Sequence, residues 1–242
     1  MIVRCDLHLH TDLSPCAEAD MTPGNLVAMA KLIGLQAIAI TDHQSTGNCR
    51  AAMALSAAIE GPLVVPGLEV ESSEEIHLIC LFPELDQAEA LETVVRAGMP
   101  NRPNRPDIFG EQHYYDEQDE ICGSEERMLL VPCSLGCSEI ARLTLNLGGV
   151  CIPAHVDRDA NSMLLILGTV PEDFPAARLE LSARTDPTGF RSAHPHLQRY
   201  HLMTNSDAHR LTDIADPGWP LKIPEFLPGP EGRNSLIQAL RE

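Results

Sequence analysis

Apolar residues along this chain come in short runs, separated by stretches with the spacing of a helix face. Residues 2–9 read as a strand that ends in polar residues. Thr22-Pro23 opens a helix, with Thr22 as N-cap and Pro23 in the first turn, and Leu26, Met29, Ala30 and Ile33 follow along one side. Gly34 stops it. Ala37-Ile38-Ala39-Ile40 is a short apolar strand running into Thr41-Asp42-His43, and a second helix covers roughly residues 46–59. Leu63–Val70 and Ile76–Phe82 read as strands, and residues 84–97 as a helix. Pro100, Pro103 and Pro106 then forbid regular structure, so residues 99–124 are expected to be a long loop or small insertion of the kind that caps a site. Helix is expected again near 125–130 and 137–147. Gly149–Ala154, Leu179–Ser182 and His201–Thr204 read as strands, and Glu231–Leu240 as a closing helix.

Buried strands alternating with helices predict an α/β protein with a largely parallel sheet. The chain has 242 residues and no internal repeat, low-complexity tract or convincing linker. It is therefore read as one domain, 1–242, with an irregular insertion at 99–124. Hydrophobic residues make up 44% and aromatics only 4%, so aliphatic side chains must fill the core.

Charge and cysteine content narrow the setting. The formal net charge is -18. A surface this acidic repels polyanions, so no stable nucleic-acid complex is expected, although carboxylates clustered on cations would inflate the count. No signal peptide and no membrane-length apolar run is visible. The eight cysteines form no C-x-x-C pair. Together these features lead us to expect reduced thiols, a cytoplasmic location and no membrane contact. The oligomeric state stays open.

The histidines carry the chemistry. The first strand ends Asp6-Leu7-His8-Leu9-His10. Residues two apart in a strand share a face, so His8, His10 and Asp6 are expected on one side, as a metal pair with an acid behind it. An isolated H-x-H is as easily a surface pair beside a turn. Here, however, strand ends go on to supply Asp42-His43, Glu69, His77, His155-Val156-Asp157-Arg158 and Asp207-Ala208-His209. In parallel α/β folds such ends meet on one rim.

The ordered set D-L-H-x-H, T-D-H, G-x-E, A-H-x-D-R and S-D-A-H, from Asp6 to His209, resembles the polymerase and histidinol phosphatase (PHP) superfamily. The resemblance implies a distorted seven-stranded β/α barrel with two or three divalent ions (Zn, Mn or Fe) at its carboxyl end. It implies His8, His10, His43, Glu69, His77, His155, Asp207 and His209 as ligands, with Glu69 bridging. One position departs. Many members read S-D-G after the first pair, with that Asp a ligand, whereas this chain reads Ser14-Pro15-Cys16-Ala17-Glu18-Ala19-Asp20. Glu18, Asp20 or, as the lesser alternative, Cys16 is left to replace it.

The activity expected is hydrolysis of a phosphate ester in a small phosphorylated metabolite or nucleotide, by attack of a metal-bridged hydroxide. Asp42 and Arg158 are the expected catalytic helpers. Asp6 and Asp42 would hydrogen-bond ligand imidazoles, Asp42 having turn capping as an equal alternative. Arg158 would grip phosphate, with Arg184 a second candidate and surface ion pairs the plainer role for both. Glu180 faces either the barrel or solvent. His113 is a candidate cover over the substrate, while His194, His196 and His201 lie outside the motifs. Two alternatives remain. An amidohydrolase-like amide or ester hydrolase is disfavoured because Lys31 and Lys222 both lie off the motifs. A non-catalytic metal-binding domain would not require so many ligands.

Overall fold

A computed structural model describes all residues 1–242. Strand β1 (Ile2–Leu9) pairs in parallel with β2 (Ala37–Ile40), and β2 with β3 (Leu63–Glu71). Helices α1 (Pro23–Leu32) and α2 (Cys49–Ala58) make these crossovers. Thr22 caps α1 by accepting from Asn25 N–H, and Gly34, at φ 79°, turns the chain out of it. Helix α2 begins at Cys49, later than the periodicity suggests. Glu92 captures Ser45 Oγ (2.8 Å) and Thr46 N–H (3.2 Å), so these residues form a turn before the helix.

The sheet then departs from the parallel expectation. β4 (His77–Leu81) folds back antiparallel on β3, and β7 (Val150–Pro153) lies antiparallel to β4. Between them come α3 (Leu85–Gly98), α4 (Pro106–Phe109), the hairpin β5 (His113–Tyr115) and β6 (Ile121–Ser124), and α5 (Cys137–Asn146). The 99–124 segment thus carries its own short elements. The helix expected at 125–130 is absent. That stretch is extended, because Gln112 accepts from Leu129 N–H and donates to the carbonyls of Glu125 and Arg127, meeting backbone groups a helix would have used. Next come α6 (Met163–Leu167), β8 (Arg178–Ser182), α7 (Pro187–Ala193), β9 (His201–Asn205), β10 (Trp219–Lys222) and α8 (Gly229–Arg241).

β8 and β9 pair in parallel and close the curl. Val156 N–H donates to Glu180 O (2.9 Å) at the β7–β8 seam. His10 N–H donates to Ala208 O (3.2 Å) where β9 returns to β1. Strands β1, β2, β3, β4, β7, β8 and β9 therefore form a distorted seven-stranded barrel, with β10 antiparallel beside the start of β1. Val65, Ile79, Ile152 and Met203 pack with Leu236, Ile237 and Leu240 of α8, which plugs the end opposite the strand termini described below. Each such fully buried aliphatic contributes on the order of 1.5–3 kcal/mol.

One irregularity matters for the site. β1 advances from Asp6 to Leu9 while β2 advances only from Ile38 to Ile40. The extra residue is a β-bulge, which reverses which side chains face inward. Val3 and Cys5 point into the barrel below it, and His8 and His10 above it, so Asp6 does not share their face.

Candidate metal centre

Five imidazoles surround one carboxylate. Glu69, on β3, is buried. Its Oε1 lies 3.3 Å from His8 Nε2, 3.0 Å from His77 Nδ1 and 3.3 Å from His155 Nε2. Its Oε2 lies 3.0 Å from His43 Nδ1 and 3.4 Å from His10 Nε2. Burial works against charge on Glu69, but the charges of His77, His8 and His43 outweigh it and hold the carboxyl well below the usual range. His77 opens β4 rather than ending it. Because β4 runs antiparallel, its start meets the ends of the parallel strands on the same rim.

Asp207 and His209 follow β9. Asp207 Oδ1 sits 3.2 Å from His8 Nε2 and 3.1 Å from His10 Nε2, and Oδ2 sits 2.6 Å from Arg158 Nη1. Burial raises the Asp207 pKa, but His8 and His10 together pull it well below the normal value. His155 (φ 29°) and Asp207 (φ 51°) both occupy the left-handed region, at a cost of about 1–3 kcal/mol each that surrounding contacts must offset.

Three groups of ligand atoms converge within 4.8 Å: His8, His10 and Asp207; His43, Glu69 and His77; and His10, His43 and His209. Asp207 Oδ1 and His155 Nδ1 are buried with no hydrogen-bond partner. Asp207 Oδ1 faces the ligand nitrogens of His8 and His10, so a cation held there would satisfy it, whereas His155 turns Nε2, not Nδ1, toward Glu69. The mixture of imidazole and carboxylate donors fits Zn, Mn or Fe without selecting sharply among them.

Residues behind the cluster orient it. Glu180 faces inward, resolving a direction the sequence leaves open: both its oxygens reach His8 Nδ1, at 3.1 and 3.0 Å. It also accepts from Asn205 Nδ2 (2.7 Å) and His155 N–H (2.9 Å). His10 Nδ1 lies 3.1 Å from Ser14 Oγ, which donates to Asp42 Oδ1 (2.7 Å). Asp42 also accepts from Thr11 N–H and Oγ (both 2.7 Å) and touches no imidazole. Its expected contact with a ligand is thus replaced by one through Ser14, and burial pushes its pKa up to about 7. Asp6 is likewise redirected by the bulge: it accepts from Ser206 N–H (3.0 Å) and Ala215 N–H (2.9 Å), tying down the loop that bears Asp207.

Glu18 and Asp20 stay outside. Both are exposed, and Glu18 pairs with Arg210 at 2.8 Å. Glu18 N–H donates to His209 O (2.9 Å), which turns Cys16 toward that histidine instead, with Sγ 3.1 Å from Nε2. Arg158 meets the cluster through Asp207 and reaches Ser182 Oγ at 3.4 Å, whereas Arg184 is exposed. His113 bonds Asp12 Oδ2 (2.9 Å), and His194 packs on Phe190. Ser14 and Asn205 escape sequence reasoning because a lone Ser or Asn beside a motif has no periodic signature.

The family model for the PHP domain matches residues 6–156. The chain belongs to the PHP domain family. No curated protein matches it in sequence. Among solved structures, the PHP chain is similar to the lesion-specific endonuclease PfuEndoQ from Pyrococcus furiosus, with TM-score 0.67 and 20% identity over 100% of this chain and 56% of that one. It is also similar to an endonuclease Q solved with a 27-mer duplex bearing an abasic lesion at the active site (TM-score 0.54, 22% identity, 87% of this chain and 50% of that one). A third is a candidate metal-dependent phosphoesterase from Bifidobacterium adolescentis (TM-score 0.57, 20% identity, 85% and 87% covered). The chain spans about half the length of the two endonuclease structures.

These neighbours correct the expectation of no stable nucleic-acid complex. Endonuclease Q, of this fold, holds duplex DNA at its active site. Net charge does not exclude such a complex, because a strand meets the local field and not the sum. Here Asp6, Asp42, Glu69 and Glu180, and the side chain of Asp207, are counted in that sum yet buried among hydrogen bonds and imidazoles. No helix is long and apolar enough to cross a membrane.

Proposed function

We propose that residues 1–242, read as one domain with an insertion at 99–124, form a metal-dependent phosphoesterase. Family membership and the donor set support a metal-dependent hydrolase; the phosphate-ester substrate is our reading. The observation carrying it is the division of Glu69, with one oxygen facing His8, His77 and His155 and the other facing His10 and His43. A carboxylate so shared is suited to bridging cations. The donor groups that would hold cations are His8, His10 and Asp207; His43, Glu69 and His77; and His10, His43 and His209, with His155 beside Glu69. Cations there supply an acidified water and neutralise charge developing on phosphoryl oxygens.

The chain's own groups do the rest. Glu180 fixes the tautomer of His8, and Ser14 that of His10, so each presents Nε2 inward. Arg158, half-exposed at the cluster's edge, supplies a guanidinium fork for a phosphate.

Metal analysis followed by a substrate panel tests this. The purified protein should retain at least two equivalents of divalent metal and hydrolyse phosphate esters, losing activity on chelation. The panel contains phosphorylated metabolites, nucleotides, abasic duplex DNA and amides. Turnover of amides alone, or inertness of the metal-replete protein toward every phosphate ester, overturns the reading. Which phosphate ester is cleaved separates a metabolite enzyme from one acting on nucleic acid.

A further inference from the structure

The outermost group of ligand atoms carries a feature that the inner ones lack. His10, His43 and His209 converge there, and Cys16 Sγ stands 3.1 Å from His209 Nε2. Two donors of one tetrahedral zinc lie roughly 3.5 Å apart, given Zn–S near 2.3 Å and Zn–N near 2.0 Å, so the pair is close to ligand spacing. The backbone holds the thiol in place: Ala17 N–H donates to Ser14 O and Glu18 N–H to His209 O, both at 2.9 Å. The carboxylates available from the same loop are turned away, Glu18 to Arg210. Beside the group, buried Asp207 Oδ1 sits 3.1 Å from His10 Nε2 and 3.7 Å from His209 Nδ1 without a hydrogen bond of good geometry to either, an acceptor that a cation here would satisfy.

We propose that Cys16 supplies a thiolate to this outer position, making it soft and zinc-selecting while the inner, carboxylate-bridged positions stay permissive. The thiol releases its proton to water as the cation binds, forming a sulfur–metal bond with no change of oxidation state. Thiolate favours zinc over manganese, whereas a carboxylate at this place would accept either. The inference rests on the metal-dependent reading and deepens it.

Cobalt substitution of the full chain provides the test, since a thiolate ligand gives a sulfur-to-cobalt charge-transfer band in the near ultraviolet. The band is expected in the wild type and in Cys122→Ser, which removes the other exposed cysteine. It should vanish in Cys16→Ser and Cys16→Asp. In zinc–manganese competition, Cys16→Asp should shift the outer position toward manganese by about tenfold or more, the usual scale for a ligand-sphere change. Retention of metal by Cys16→Asp shows that the variant folds. Metal bound without the band, or a band that survives in Cys16→Ser, overturns the proposal and leaves the phosphoesterase reading intact. Failure of the wild type to bind any divalent ion removes both.

Discussion

Both carboxylate oxygens of Glu180 point at one atom of His8, Nδ1, from 3.1 and 3.0 Å. The same oxygens accept from Asn205 Nδ2 and His155 N–H, so every approach to this carboxylate is a donor. Glu180→Gln would place an amide NH2 against one of these donors in either orientation. We expect a loss of about 1–3 kcal/mol in stability from the mismatched buried pair. Metal affinity should fall by roughly 10–100-fold as His8 loses its orienting charge. Chelator competition and thermal melts of the metal-free protein measure the two. Unchanged metal affinity would mean that Glu180 is merely structural.

A second route to a ligand runs through Ser14. His10 meets Ser14 Oγ, which donates to the buried Asp42, and Ser14 Oγ also accepts from His43 N–H at 3.1 Å. Ser14→Ala leaves His10 Nδ1 without a partner and Asp42 one donor short. Metal affinity is expected to drop about tenfold. Ser14→Ala and Asp42→Asn act on one chain of bonds, so their effects on affinity should be less than additive in the double variant. Full additivity in a double-mutant cycle would show that the two residues act separately.

Much of this centre is visible in the sequence, for a physical reason. His8 and His10 sit in a period-two pattern, and His43, His155, Asp207 and His209 close apolar runs, so strand ends announce them. What the pattern conceals is anything set by register. The bulge between Asp6 and Leu9 flips Asp6 away from the histidines, and local alternation carries no trace of it. β4 reads as another strand, but its antiparallel direction depends on the short turn after Glu71. Gln112 suppresses the helix expected at 125–130 by bonds that span more than ten residues. That Glu18 faces Arg210 while Cys16 lies beside His209 depends on the bond from Glu18 N–H to His209 O, distant in sequence.

Proton competition gives the centre a pH dependence of definite sign. Burial lowers the pKa of His8, but Glu180, Asp207 and Glu69 overcome it and raise it well above 6.5. His77 is also raised, by Glu69, against its burial. His10, by burial and the charge of His209, falls to about 4. In the metal-free protein, then, His8 contributes stability that is fully present below pH 6.5 and is lost as pH rises through its raised pKa. A cation must displace that proton, whereas His10 is already free of one. Metal binding at neutral pH should therefore release protons, and apparent affinity should climb as pH rises above 6.5. Calorimetry in buffers of different ionisation enthalpy reads the release directly. Affinity that is flat between pH 6 and 8 would contradict the assignment of His8.

Arg158 separates a substrate role from a surface ion pair. Its Nη1 lies 2.6 Å from Asp207 Oδ2; solvent screens the 43% exposed guanidinium, and in the metal-loaded protein cations would neutralise the buried Asp207, so the pair there contributes on the order of 1 kcal/mol to stability. Arg158→Ala should leave the melting temperature nearly unchanged. If the guanidinium binds phosphate, the same change removes a charge-assisted contact of about 1.5–3 kcal/mol, raising KM by roughly tenfold or more. Arg158→Lys keeps the charge but loses the planar fork, so it should recover only part of the loss. Metal affinity should hold or improve in both variants, because freeing Asp207 Oδ2 adds negative charge beside the cations. The pattern that defeats the phosphate role is an unchanged KM with a small drop in stability, since that is all an exposed ion pair would forfeit.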